Sequence, residues 1–185
     1  NRLLSVLAST FSPLSNWILA LPPTRRLMEK TMGFDRTRRF PKFERGSFVR
    51  KVQRYLSVRP ETEPIDKAAY FVDSYANWND HDLGFAAVKL LRKLGVDVIV
   101  PKQRPAPLPA YVYGNIKTAK ADLEYNLRQF APLAESGYKV LCSEPSAALC
   151  LKEEMKYLVN SYQARLVAGS TFELMDYLEH LFWQG

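Results

Sequence analysis

Cysteine and histidine are nearly absent from this sequence, with two of each in 185 residues, and glycine is sparse at eight. Two cysteines, Cys142 and Cys150, cannot build a disulfide framework, so a reducing, cytoplasmic compartment is expected. No glycine-rich phosphate loop, G-x-S-x-G elbow or H-E-x-x-H pair occurs, so no autonomous active site is legible. Long apolar runs are missing too. Residues 3–21 are apolar but broken by Ser12-Pro13 and Ser15-Asn16, and Pro22-Pro23 follows, which is too interrupted for a spanning helix. A small-residue cleavage pattern is also lacking, which argues against a signal peptide. Trp17, Trp78 and Trp183 show no spacing for base stacking, and no nucleic-acid motif is present, so no nucleic-acid partner is expected. The chain starts at Asn1 in mid-stride and reads as a segment of something longer.

Charge is what the sequence has in excess, and it is unevenly placed. The net charge is +7, with 47% hydrophobic and 24% charged residues, the balance of a soluble globular chain with one core. Residues 1–59 hold 13 of the 26 Lys and Arg but only 3 of the 19 Asp and Glu. Such a basic arm fits an acidic partner surface or the anionic inner face of a membrane; a solvated basic face fits equally.

Hydrophobic spacing then divides the chain. Leu3-Leu4-Val6-Leu7 and Trp17-Ile18-Leu21 cluster at helical spacing. Pro22-Pro23-Thr24 opens a helix that Gly33 can cap, and Ser47 is placed as the N-cap of a helix over Phe48 to Leu56. The polar, proline-bounded stretch Arg59 to Pro64 predicts a domain boundary: 1–59 a helical basic arm, 60–185 an α/β domain. Beyond it, strands are predicted at 68–72, 96–100 and 138–142. Helices are predicted at 82–94, 113–135, 146–158 and 171–182, with an extended, proline-stiffened loop over 101–109. Strands alternating with helices of this length imply a small parallel sheet with flanking helices. Ligands of such sheets lie beyond the strands' carboxyl ends, here Asp73-Ser74, Pro101 to Pro109 and Cys142 to Ala147.

These same segments carry a family resemblance. Phe71, Gly95, Pro101, Pro109, Tyr113-Gly114, Pro145-Ser146 and Leu151-Lys152-Glu153-Glu154 follow the half-domain pattern of the cysteine-rich CCG-domain iron–sulfur oxidoreductases. That family includes the B subunit of heterodisulfide reductase and the C subunit of anaerobic glycerol-3-phosphate dehydrogenase. Ser12 to Asn16, Pro22 to Gly33 and Arg38 to Phe43 resemble the linker preceding that domain. The resemblance implies an electron-transfer role within a flavin and iron–sulfur enzyme, with other domains or subunits as partners. Where the family places cluster cysteines, this chain has Ser74, Pro105, Ala106, Glu144 and Ala147. Iron–sulfur clusters are held by thiolates, and these residues supply none. No cofactor is therefore expected in this segment, while 4Fe–4S clusters and FAD are implied for the longer parent protein or complex.

Two readings of the rim remain open. It is either the structural, docking half of a redox protein or a cleft reused for a small molecule or for catalysis. In the second case Asp73, Ser74, His81, Arg104, Glu144 and Ser146 are the candidate polar residues. Asn79 and Asp80 have a competing structural reading as turn and N-cap residues, and Glu144 as a carboxylate placed against a helix N-terminus. His81 would titrate near neutrality if exposed. No catalytic residue and no metal site is assigned.

Overall fold

The computed structural model describes residues 2–58 and 63–184. The expected boundary stretch lies, at residues 59–62, outside the described residues. The N-terminal arm is α1 (Arg2–Thr10), α2 (Leu14–Ala20), α3 (Pro22–Met32) and α4 (Phe48–Leu56). Pro22 and Pro23 occupy the first turn of α3, where a missing N–H costs nothing, and Gly33 closes it at φ 71° with its N–H on the Glu29 carbonyl. Ser47 sits at the N-cap of α4 but makes no capping bond. Asn77 Oδ1 accepts from the Val49 N–H at 3.2 Å instead, so a residue of the body caps a helix of the arm.

The body alternates strands and helices: β1 (Asp66–Phe71), α5 (Ser74–Trp78), α6 (His81–Lys93), β2 (Val96–Ile99), α7 (Leu108–Val112), α8 (Ile116–Glu135) and β3 (Lys139–Cys142). It continues through α9 (Pro145–Leu149), a π-helical turn at Cys150–Glu154, α10 (Met155–Leu158), α11 (Tyr162–Gly169), β4 (Thr171–Glu173) and α12 (Leu174–Gln184). The four strands form one parallel sheet in the order β2-β1-β3-β4, the small parallel sheet that the sequence pattern implied.

Several boundaries differ from the sequence reading, each for a local reason. The expected helix over 113–135 is two helices. Gly114, at φ 75°, leaves the right-handed region after α7, and Asn115 opens α8 by accepting from the Thr118 N–H at 3.2 Å. The proline loop ends at Pro107, which already has helical backbone angles (φ −70°, ψ −15°), and Pro109 falls in the first turn of α7. The last helix starts at Leu174. Before it, Thr171–Glu173 pairs with β3, and the Glu173 carboxylate accepts from the Met175 and Asp176 amides at 2.9 and 3.3 Å. Helix α11, unassigned from sequence, starts at Ser161, whose Oγ accepts from the Ala164 N–H at 3.1 Å.

Alternation along β1 separates two cores. Ala68, Tyr70 and Val72 face a cluster with Phe48, Val52, Val88, Leu91 and Tyr177. Ala69 and Phe71 face Leu123, Phe130, Leu151, Met155 and Val167 on the other side. A central strand covered on both faces reads as a continuous apolar run, as residues 68–72 do. Phe48 and Val52 of α4 are fully buried here, so the last helix of the arm belongs to the body's core. Gly84 of α6 makes room for it: a Cβ there would lie 2.7 Å from the Phe48 ring.

Candidate functional site

The chain order reverses between β1 and β3. From β1 the path goes outward to β2, then returns across β1 to β3 and β4. In open parallel sheets such a switch point leaves a crevice at the carboxyl ends of the two strands. Phe71 pairs with Cys142 in register, so Asp73-Ser74 and Ser143-Glu144 emerge side by side at that crevice.

Buried polar groups tie this rim together. The Tyr70 hydroxyl and Ser143 Oγ lie 2.6 Å apart, and Ser143 Oγ reaches Asp73 Oδ2 at 3.4 Å. Burial pushes the Tyr70 phenol well above its usual range. Asp73 is itself almost fully buried and opens α5, accepting from the Tyr75 and Ala76 amides at 2.7 and 3.0 Å. Glu144 does the same for α9, accepting from the Ala147 amide at 2.7 Å and the Ser146 hydroxyl at 2.5 Å. Both carboxylates are therefore committed to stabilising helix starts.

The loop after β2 is stapled at two points that the sequence did not reveal. Gln103 Oε1 accepts from the Val72 N–H at 2.8 Å, while its Nε2 donates to the Tyr70 and Pro101 carbonyls at 3.3 Å. Asn126, buried on α8, accepts from the Arg104 N–H at 2.8 Å and donates to the Arg104 carbonyl at 3.1 Å. An Asn in mid-helix competes poorly for helix and so hints at a tertiary partner, which is the one signal the sequence carried. Arg104 pairs with Asp122 at 3.1 Å and stacks over Tyr125, its guanidinium carbon 4.6 Å from the ring centre.

Together these elements enclose a cleft of about 270 Å³, below the usual range for small-molecule pockets. Asp73, Ser74, Lys102, Arg104 and Pro105 line it, and Val6 of α1 reaches its wall from the arm. Ser74 is exposed at the start of α5. Glu144, Ser146, Ala106 and Ala147 lie outside the cleft lining; Ala106 and Ala147 pack with the second core. A larger groove of about 700 Å³ follows β2 from Val98 to Pro101, and it holds none of the candidate residues.

His81 is also elsewhere, buried at the start of α6. Lys51 Nζ donates to its Nδ1 at 2.9 Å, and its Nε2–H donates to the Asn77 carbonyl at 3.0 Å, which sets the neutral tautomer. Desolvation, with Lys51 adding to it, pulls its pKa below the usual value. Far from an exposed titrating group, His81 joins the arm to the body.

The donor set at the rim does not fit an iron–sulfur cluster. Ser74 and Glu144 offer hard oxygens, and Pro105, Ala106 and Ala147 offer no side-chain donor. Cys142 and Cys150 are buried. Burial raises the Cys142 thiol far above its usual range, and Asp73 and Glu144 push the same way. Burial pushes Cys150 up to about 12, with Glu154 adding to it. Neither stands at a family cluster position, and two cysteines fall short of the four that hold a cluster. Among the described residues no group of three or more His, Cys, Asp or Glu is placed to hold a metal ion.

Comparison with curated proteins places this chain beside subunits of a known dehydrogenase. The chain is 24% identical over 161 residues to the C subunit of the anaerobic glycerol-3-phosphate dehydrogenase of Escherichia coli strain K12, and equally to that of strain O157:H7. The match covers 85% of this chain but 40% of the relatives, so the chain spans well under half their length. No family model and no solved structure matches it.

Proposed function

We propose that this chain is a structural, docking half-domain of an iron–sulfur/flavin oxidoreductase of the anaerobic glycerol-3-phosphate dehydrogenase kind. The observation that carries the reading is the likeness to those dehydrogenase subunits along 85% of the chain, in a sequence with no cysteine at the positions where the resemblance places cluster ligands. The α/β body acts as packing for neighbouring domains or subunits. Electron carriers, 4Fe–4S clusters and FAD, belong to the longer parent protein or complex. The basic arm seats the assembly on an acidic partner or on the inner, cytoplasmic face of the membrane. Anaerobic reconstitution of the chain with iron and sulfide, read by absorption and EPR, tests the missing ligands. The expected result is no stoichiometric cluster. One cluster per chain overturns the reading.

A second reading, a small-molecule site or enzyme in the rim cleft, draws on Lys102 and Ser74 at the switch point. A rise in melting temperature with 2-hydroxy acids or phosphates, lost in Lys102→Ala, would favour it over the first.

A further inference from the structure

The first two helices are built with their polarity reversed. A helix on the surface of a globular protein normally turns its apolar stripe inward and its polar face to water. In α1 and α2 the outward side chains are Leu3, Leu4, Leu7, Leu14, Trp17 and Ile18, between 42% and 70% exposed, with Phe11 between the helices at 60%. Helix α2 has no buried residue.

Ser9, Ser12, Ser15 and Asn16, in these helices and the turn between them, point the other way, while Thr10 stays exposed. Ser9 is fully buried and its hydroxyl donates to the Glu44 and Gly46 carbonyls. Ser12 donates to the Phe43 carbonyl at 2.7 Å, and Ser15 to the Ala8 carbonyl at 2.6 Å. Asn16 donates to the Phe43 carbonyl at 2.9 Å and accepts from the Phe43 N–H at 2.7 Å. The Ser9, Ser12 and Asn16 bonds latch the hairpin to the 43–46 segment and fix which face looks out, while the Ser15 bond ties the two helices to each other. The two helices are bent 105° to each other, and no single helix among the described residues is long and apolar enough to cross a membrane.

Directly after α2 the surface becomes basic. Residues 24–45 carry eight Lys and Arg against three acidic residues. Ala20, Pro22, Arg25, Arg26, Arg36 and Thr37 line a pocket of about 420 Å³. Its three guanidinium groups outnumber the two carboxylates beside it, Asp35, which accepts from the Thr37 N–H and hydroxyl at 2.7 and 2.6 Å, and Glu29, which accepts from the Arg36 N–H at 3.3 Å. Arg25 is held rigidly in it: Nε donates to the Leu19 carbonyl at 2.7 Å, another N–H donates to the Arg38 carbonyl, and the group stacks 5.1 Å over Phe40. Arg26 and Arg36 are exposed. Guanidinium forks in such an arrangement suit a phosphate diester's oxygens.

An outward apolar ridge ending in an arginine pocket has the layout of an interfacial membrane element, with side chains for the acyl boundary and cations for the headgroups. The geometry points to α1 and α2 lying in the surface of an anionic phospholipid bilayer, with a lipid phosphate in the Arg25–Arg26–Arg36 pocket. Charge decides between this and a protein partner, because the surface beside the ridge is strongly net basic, eight Lys and Arg against three acidic residues over 24–45, which suits a sheet of anionic headgroups. The inference deepens the proposed membrane seating of the arm, and it uses the chain alone, so it stands or falls apart from the redox assignment.

Flotation of the whole chain with vesicles tests it. Wild type is expected to float with phosphatidylcholine vesicles containing phosphatidylglycerol, and more weakly with phosphatidylcholine alone. Phe11→Ser with Trp17→Ser abolishes binding to both. Arg26→Gln with Arg36→Gln weakens binding to the anionic vesicles on the order of thirtyfold and leaves the neutral ones unchanged. All four residues are exposed, so thermal melts of the variants should match wild type and show that the fold survives. Failure of wild type to float, or variants that float like wild type, overturns the inference. If wild type fails to float and the serine variant loses co-purification with redox subunits, the ridge binds protein and the lipid assignment is wrong. Formation of a cluster on reconstitution would overturn the redox reading and leave flotation untouched.

Discussion

The α/β body and the N-terminal hairpin use the same residue types in opposite directions. In the body, Phe48, Tyr70, Phe71 and Phe130 are almost completely withdrawn from water, and polar groups sit at helix starts or the surface. In the hairpin, Leu3, Phe11 and Trp17 are at least 60% exposed, while Ser9 and Asn16 bond inward to backbone. The body is a finished core. The hairpin is ordered by polar latches and leaves its apolar surface unused in water, which is a cost unless something apolar covers it.

The comparison fails first if truncating the body's core is cheap. Phe48→Ala should cost about 3–5 kcal/mol in chemical denaturation, because the ring is enclosed by Tyr70, His81 and Phe85. Gly84→Ala should cost about 1–3 kcal/mol, since its Cβ would meet three Phe48 ring carbons at 2.7–2.9 Å and that ring has nowhere to go.

The hairpin should respond to the loss of polar contacts instead. Asn16→Ala strands the Phe43 N–H and should lose about 1–3 kcal/mol of local stability. Hydrogen exchange would show faster opening at α1, α2 and 43–46 with the sheet amides unchanged.

Acid should loosen the body in two separate windows. His81 is held below its usual pKa by burial and Lys51, so the unfolded chain binds that proton more readily. Its contribution is complete above about pH 6.5 and is lost as pH falls through the folded value. Burial pushes the Asp66 carboxyl up, but hydrogen bonds from Lys139, Tyr177 and the Lys67 amide outweigh it and hold the group below its usual range. Its contribution is complete above about pH 3.9 and is lost lower still. Denaturation across pH should therefore fall in two steps, with His81→Gln removing the upper and Asp66→Asn the lower.

The smallest effect belongs to the largest exposed side chain of the hairpin. Trp17→Ser should change stability in water by no more than about 0.5 kcal/mol, against the several expected at Phe48. A large loss at Trp17 would mean that the ridge is part of a core after all.

The contrast also shows where sequence reading succeeds and stops. The stripe Phe48–Val52–Tyr55–Leu56 marks α4, the β-branched run 96–100 marks β2, and Gly33, Gly95 and Gly137 fall at chain reversals. Thr171–Glu173 reads as helix because three residues show no period of their own ahead of an amphipathic helix, and only pairing with β3 makes them a strand. At the rim, Asp73-Ser74 and the proline loop are legible as strand ends. Tyr70, Ser143, Gln103 and Asn126 are not, because their partners are 22 to 73 residues away. The hairpin exposes a deeper limit. Helical spacing of Leu3, Leu4 and Leu7 establishes a face but not its direction, which Ser9, Ser12 and Asn16 set only through contact with residues 43–46.

Hydroxyl-radical footprinting of the intact chain, with and without vesicles containing phosphatidylglycerol, tests the two-sided account most directly. In water, Leu3, Leu7, Phe11 and Trp17 should oxidise readily while Phe48, Tyr70 and Phe130 stay protected; with vesicles, labelling of the hairpin should fall and that of the body should not change. Hairpin residues already protected in water, or labelled equally with and without vesicles, would contradict it.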